Sequence, residues 1–68
     1  MTIGERLRRA RKRLGKTQIQ IAVELGKTQA TVSGWESDDV LPELRALRQV
    51  AEAYGIRPET LIPPGTAS

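Results

Sequence analysis

Histidine and cysteine are both absent from the 68 residues. Imidazole general bases, thiolate nucleophiles and the usual zinc ligand sets are therefore excluded together. Catalysis would fall to Ser33, to the adjacent Asp38 and Asp39, or to Lys12, Lys16 and Lys27. A chain this short buries too little volume to desolvate and tune such groups, and plain solvent exposure is the simpler reading of Ser33 and the aspartates. No enzymatic activity, metal or cofactor is expected. The chemistry that remains is recognition. Between Thr28 and Glu36 stand Gln29, Ala30, Thr31, Ser33 and Gly34, amide and hydroxyl groups on a surface so low in bulk that the backbone can approach another molecule closely.

Those residues need helices to position them. Thr2 and Glu5 have the spacing of a capping box, in which the threonine hydroxyl accepts from the third helical amide and the glutamate returns to the cap amide. Ile3, Leu7, Ala10 and Leu14 follow as one apolar stripe, and Gly15 ends the first helix. Thr17 and Gln20 offer a second box, with Ile21, Ala22 and Leu25 facing inward and Gly26 closing a second helix through a left-handed turn. Thr28 can cap a third helix whose inward residues are Val32 and Trp35, and Ser37-Asp38-Asp39 breaks it. Pro42 suits the first position of a fourth helix, with Leu44, Leu47, Val50, Ala51 and Tyr54 on its buried face and Gly55 at its end. Pro58 opens a final short helix to about Ile62. The expected core is Leu7, Leu14, Ile21, Ala22, Leu25, Val32, Trp35, Leu47 and Val50. No strand pattern and no internal repeat is present. The chain reads as one all-α domain over residues 1–62, with residues 63–68 (Pro63-Pro64-Gly65-Thr66-Ala67-Ser68) a flexible tail or the start of a linker.

Charge is unevenly spread. The net charge is +3. Residues 1–16 hold Arg6, Arg8, Arg9, Arg11, Lys12, Arg13 and Lys16 against the single acid Glu5, whereas the chain from Glu36 onward is acidic. A basic first helix beside a low-relief polar helix suits contact with a polyanion. Two short helices joined by a tight turn, from Thr17 to Glu36, can set the second of them into the major groove of DNA. No apolar run approaches the roughly 18 residues of a membrane span, and a cytoplasmic protein without membrane contact is expected.

The spaced set Thr17-Gln18, Ile21-Ala22, Leu25-Gly26, Val32-Ser33, Trp35-Glu36, Pro42, Leu47 and Val50-Ala51 resembles the lambda-repressor-like helix-turn-helix domains of the Cro/C1, or XRE, type. The similarity runs from Ile3 to about Ile62. It implies a compact bundle of five helices with the helix-turn-helix at helices two and three. It also implies a sequence-specific transcriptional regulator, in the first place a repressor, that binds double-stranded DNA as a two-fold homodimer. By that resemblance Gln29 would pair with adenine, Ala30 would meet a thymine methyl, and Thr31 would contact a base or a phosphate. Arg11, Gln18, Lys27 and Thr28 would touch phosphates, with Gln18 also buttressing Gln29. Arg11 and Glu36 would form a partly buried structural ion pair. The region of Ile56, Pro58, Glu59 and Leu61 would join the two copies.

Four positions depart from the family pattern. Lys27 replaces an apolar turn residue, so its stem must cover the core while its ammonium reaches water. Gly34 replaces a long side chain, and Asp38 and Asp39 stand where basic residues would face phosphate. Ile19 and Val23, four apart on the outward side of the second helix, form a possible protein-docking pair. A protein-interaction module on the same fold, such as an antitoxin-like binder or adaptor, is therefore the alternative function.

Overall fold

The computed structural model describes residues 1–62 of the chain. The expected tail, residues 63–68, lies outside the described residues. Four α-helices are present: α1 (Ile3–Arg13), α2 (Gln18–Leu25), α3 (Gln29–Glu36) and α4 (Leu47–Tyr54). Two short 3-10 turns, Leu44–Ala46 and Pro58–Leu61, precede and follow α4. No strand occurs among the described residues.

Local sequence sets the helix ends. Thr2 Oγ1 accepts from the Glu5 amide at 3.1 Å and Glu5 returns to the Thr2 amide at 3.0 Å. Thr17 and Gln20 do the same for α2, at 3.1 and 2.7 Å. Both boxes satisfy amides that a helix start leaves without partners. Gly26, at φ 65° and ψ 32°, turns the chain sharply after α2, so that Lys27 N–H reaches back to the Ala22 carbonyl at 2.8 Å. A side chain with Cβ would be strained there.

The inward faces of the four helices meet on Leu7, Ala10, Ile21, Ala22, Val32, Trp35, Val50, Ala51, Ala53, Tyr54 and Leu61, all buried. Leu25 and Leu47 are half-buried and pack against that core. Burial of each large apolar side chain contributes about 1.5–3 kcal/mol before the entropy of ordering is counted. Close approach of α1 to the end of α3 requires Gly4. A Cβ on it would lie 2.6 Å from the Glu36 carbonyl oxygen.

The structure departs from the sequence reading at three places. There are four α-helices and not five, because the last element is a 3-10 turn. Ile62, which precedes Pro63, takes an extended conformation at φ −88°, ψ 122°, as sterics before proline favour. Pro42 is not the first residue of helix four. Glu43 is extended at ψ 143°, and a 3-10 turn intervenes before α4 begins at Leu47. Leu44 lies on that turn and is exposed. Leu14 is not a core residue. It follows the last turn of α1, beyond the edge of the core, and is 47% exposed. Its side chain instead spreads over Gly55, where an added Cβ would meet Leu14 Cδ1 at 3.3 Å.

Candidate functional site

The amino end of α3 is built by its cap. Thr28, at φ −94° and ψ 158°, accepts from the Thr31 amide at 3.2 Å, and the two hydroxyls lie 3.0 Å apart. Gln29 and Ala30 are exposed and Thr31 is half-buried, while Val32 and Trp35 anchor the opposite side of the helix in the core. The amide, the methyl and the hydroxyl of residues 29 to 31 are thus presented from a helix held at its start and along its inner face. Lys27 is exposed and shares a shallow groove with Thr31, Trp35 and Val40.

The carboxyl end of α3 carries the densest polar network in the domain. Glu36 is 7% exposed. Arg11 of α1 grips it with two bonds, Nε to Oε2 at 2.8 Å and Nη2 to Oε1 at 3.0 Å. Tyr54 of α4 donates its hydroxyl to Oε2 at 2.7 Å, and Gln18 of α2 donates Nε2 to Oε1 at 3.3 Å. One carboxylate therefore ties α3 to each of the other three helices. Burial pushes the Glu36 carboxyl upward, but the bonds from Arg11, Tyr54 and Gln18 outweigh it and hold the group below its ordinary value of 4.5. Burial, with the hydrogen bond to Glu36 second, pushes the Tyr54 phenol far upward. The hydrogen bond to Glu36 raises the Arg11 guanidinium as well.

This network changes the picture of two expected site residues. Gln18 bonds to Glu36, and among the described residues no hydrogen bond joins it to Gln29. Arg11 also donates Nη1 to the Lys16 carbonyl at 2.9 Å, so it braces the α1–α2 loop as well as α3. With its side chain only 12% exposed, little of the guanidinium faces outward.

Arg8, one turn before Arg11 on the same flank of α1, is exposed and lies in a shallow notch with Gln18, Ser33, Glu36 and Ser37. Arg6, Arg9 and Arg13 border a second groove, beside Ile56 and Thr60, and Arg9 also lies between that groove and Arg8. Arg6 Nη1 there bonds the Thr60 carbonyl at 3.2 Å. Only part of the basic helix, then, adjoins α3.

Asp38 does not face outward from α3 as a bare charge. Its carboxylate accepts from the Gly4 amide at 2.9 Å and from the Thr2 hydroxyl at 2.6 Å, capping α1 from the far side of the chain. The contact needs a left-handed backbone, and Asp38 has φ 65°, a conformation aspartate tolerates better than most residues. Asp39 is exposed, and its amide bonds the Gly34 carbonyl at 3.0 Å. Gly34 makes room for this loop, since a Cβ there would come within 3.0 Å of Val40 Cγ2. Ile19 and Val23 are 56% and 75% exposed. Leu61 is buried in the core.

Sequence reasoning missed two roles. Tyr54 was assigned to the core for its ring alone, although a buried phenol needs a hydrogen-bond partner and Glu36 was the obvious acceptor. Asp38 left no local signal, because its partners lie 34 and 36 residues away.

Residues 7–61 match the family described as Helix-turn-helix. Over 56 residues the chain is 39% identical to the cryptic phage CTXphi transcriptional repressor RstR of Vibrio cholerae serotype O1 (strain ATCC 39315 / El Tor Inaba N16961). That alignment covers 82% of this chain and 50% of the relative, so the chain spans about half the length of the curated protein it matches.

Proposed function

The chain belongs to the helix-turn-helix family, in its lambda-repressor-like Cro/C1 branch, and from that membership we propose that it is a sequence-specific DNA-binding regulator of transcription, acting in the cytoplasm as a repressor. The single observation that carries this reading is the capped amino end of α3, with Gln29 and Ala30 exposed and Thr31 beside them. In this account α3 enters the major groove. Gln29 reads adenine through paired donor and acceptor bonds, Ala30 packs on a thymine methyl, and Thr31 contacts a base edge or phosphate. Thr28, Lys27 and Gln18 touch the backbone and fix register. Arg11 serves chiefly as the clamp on Glu36 and reaches phosphate only with its outermost N–H groups. The relative named above is a transcriptional repressor, which favours repression over activation here. Two copies would sit on half-sites about 34 Å apart, one helical turn.

A salt titration of binding to duplex DNA tests the proposal. Several phosphate contacts should lower affinity by orders of magnitude between about 50 and 200 mM salt. Binding that is absent, or indifferent to salt, removes the reading. The exposure of Ile19 and Val23 favours one second reading, a docking surface for a protein partner. Substituting both by serine should leave duplex affinity unchanged if that pair serves a protein and not DNA.

A further inference from the structure

Resting on the reading that α3 enters a DNA groove, we propose that Arg8, Gln18, Ser33 and Ser37 form a seat for one backbone phosphate, with Arg8 supplying the countercharge. The four side chains come from α1, α2, α3 and the cap of α3, and they line a single surface notch. Glu36 also lines it, and an unpaired carboxylate there would repel an anion. Both of its oxygens are already engaged, by Arg11, Gln18 and Tyr54, and Arg11 balances its charge. The net charge of the notch is therefore that of Arg8.

Arg8 is suited to the part in a way that its neighbours are not. Among the described residues it forms no ion pair and no hydrogen bond, so its planar fork of donors is available to phosphate oxygens. Arg11 has spent Nε, Nη1 and Nη2 on Glu36 and Lys16. Arg6 and Arg13 lie across α1 from the notch, and Arg9, although it borders Arg8 on one side, does not line the notch. The Ser33 hydroxyl is exposed and without a partner among the described residues. Gln18 keeps a second amide hydrogen beyond the one given to Glu36. The Ser37 hydroxyl, now donating to the Gly34 carbonyl at 3.2 Å, lies within the same notch and can turn toward an anion. A phosphate held by this set fixes where α3 sits along the duplex without reading a base.

The test compares the full chain with Arg8→Ala and Arg9→Ala by equilibrium binding over a salt series. The probes are a duplex enriched from random sequence by the wild-type chain and an unselected duplex. Arg8→Ala should weaken binding to both by a similar factor, about five- to tenfold, and reduce the slope of log affinity against log salt by about 1. Arg9→Ala should leave the slope as it is. Circular dichroism should match across the three, since neither arginine holds the fold. A wild-type slope retained by Arg8→Ala overturns the seat while leaving the DNA reading intact. Equal losses from both substitutions overturn it too, by showing only diffuse charge. A wild-type chain that binds neither duplex removes the DNA reading and the seat together.

Discussion

The Tyr54 hydroxyl donates to Glu36 Oε2 at 2.7 Å, both groups being buried. The bond joins the last turn of α4 to the last residue of α3, so the helix proposed to read DNA is held at its far end by the core. Replacing Tyr54 with phenylalanine leaves the ring and removes one bond to a charged acceptor. A loss of about 1.5–3 kcal/mol in unfolding free energy is expected, measured by urea denaturation. An unchanged midpoint and slope would show that the bond does not contribute.

Acid should act on the same carboxylate. Glu36 is held below 4.5 in the folded chain, so its contribution to stability is present above that pH and is lost as pH falls through the depressed folded value. Glu5, held low chiefly by the hydrogen bond from the Thr2 amide, adds to the same limb. Stability against urea should therefore be level toward neutrality and decline below about pH 4.5. Tyr54→Phe should narrow that decline, because with one bond fewer the folded carboxyl sits closer to its unfolded value. A decline of equal depth in both proteins would contradict the assignment.

Two glycines, both within helices, should respond oppositely to alanine. At Gly4 the new Cβ would meet the Glu36 carbonyl at 2.6 Å and Asp38 Oδ1 at 2.8 Å. Gly4→Ala should destabilise by more than about 1 kcal/mol although alanine is the better helix former by that amount. At Gly34 the contact is the side chain of Val40 at 3.0 Å, on an exposed loop able to yield. Gly34→Ala should be neutral or stabilising by up to about 1 kcal/mol. Thermal melts of both decide it, and equal losses would show that the backbone contact at Gly4 is unimportant.

Asp38→Ala removes the shared acceptor of Gly4 N–H and Thr2 O–H and leaves alanine at φ 65°. A cost of about 1–2 kcal/mol is expected, with faster hydrogen exchange at the Gly4 amide. Asp38→Gly restores the backbone but not the acceptor, so it should recover only part of the loss. Full recovery by glycine would assign the whole effect to backbone strain.

Much of this architecture was legible because its determinants are local. The Thr2 and Thr17 capping boxes, the turn at Gly26 and the stripes of Leu7 and Ala10, or Ile21 and Ala22, each lie within a few residues. Exposed Gln29 and Ala30 follow from helical spacing once Val32 and Trp35 are placed inside. What could not be read depends on where elements meet. Leu14 continues the stripe of α1 by periodicity, but the helix outruns the core and the side chain spreads over Gly55. Asp38 and Asp39 read as two charges opposing DNA, whereas Asp38 is turned onto the amino end of α1, where a negative charge is favourable. The fifth helix is held to a 3-10 turn because Pro63 forces Ile62 out of the helical region four residues after Pro58 opens it.

Site selection from random duplex DNA by the wild-type chain and by Gln29→Ala tests the central claim most directly. The account predicts that the wild-type chain enriches a defined motif and that Gln29→Ala enriches the same motif with preference lost at one base pair in each half-site. An unchanged motif, or no enrichment by the wild-type chain, would contradict it.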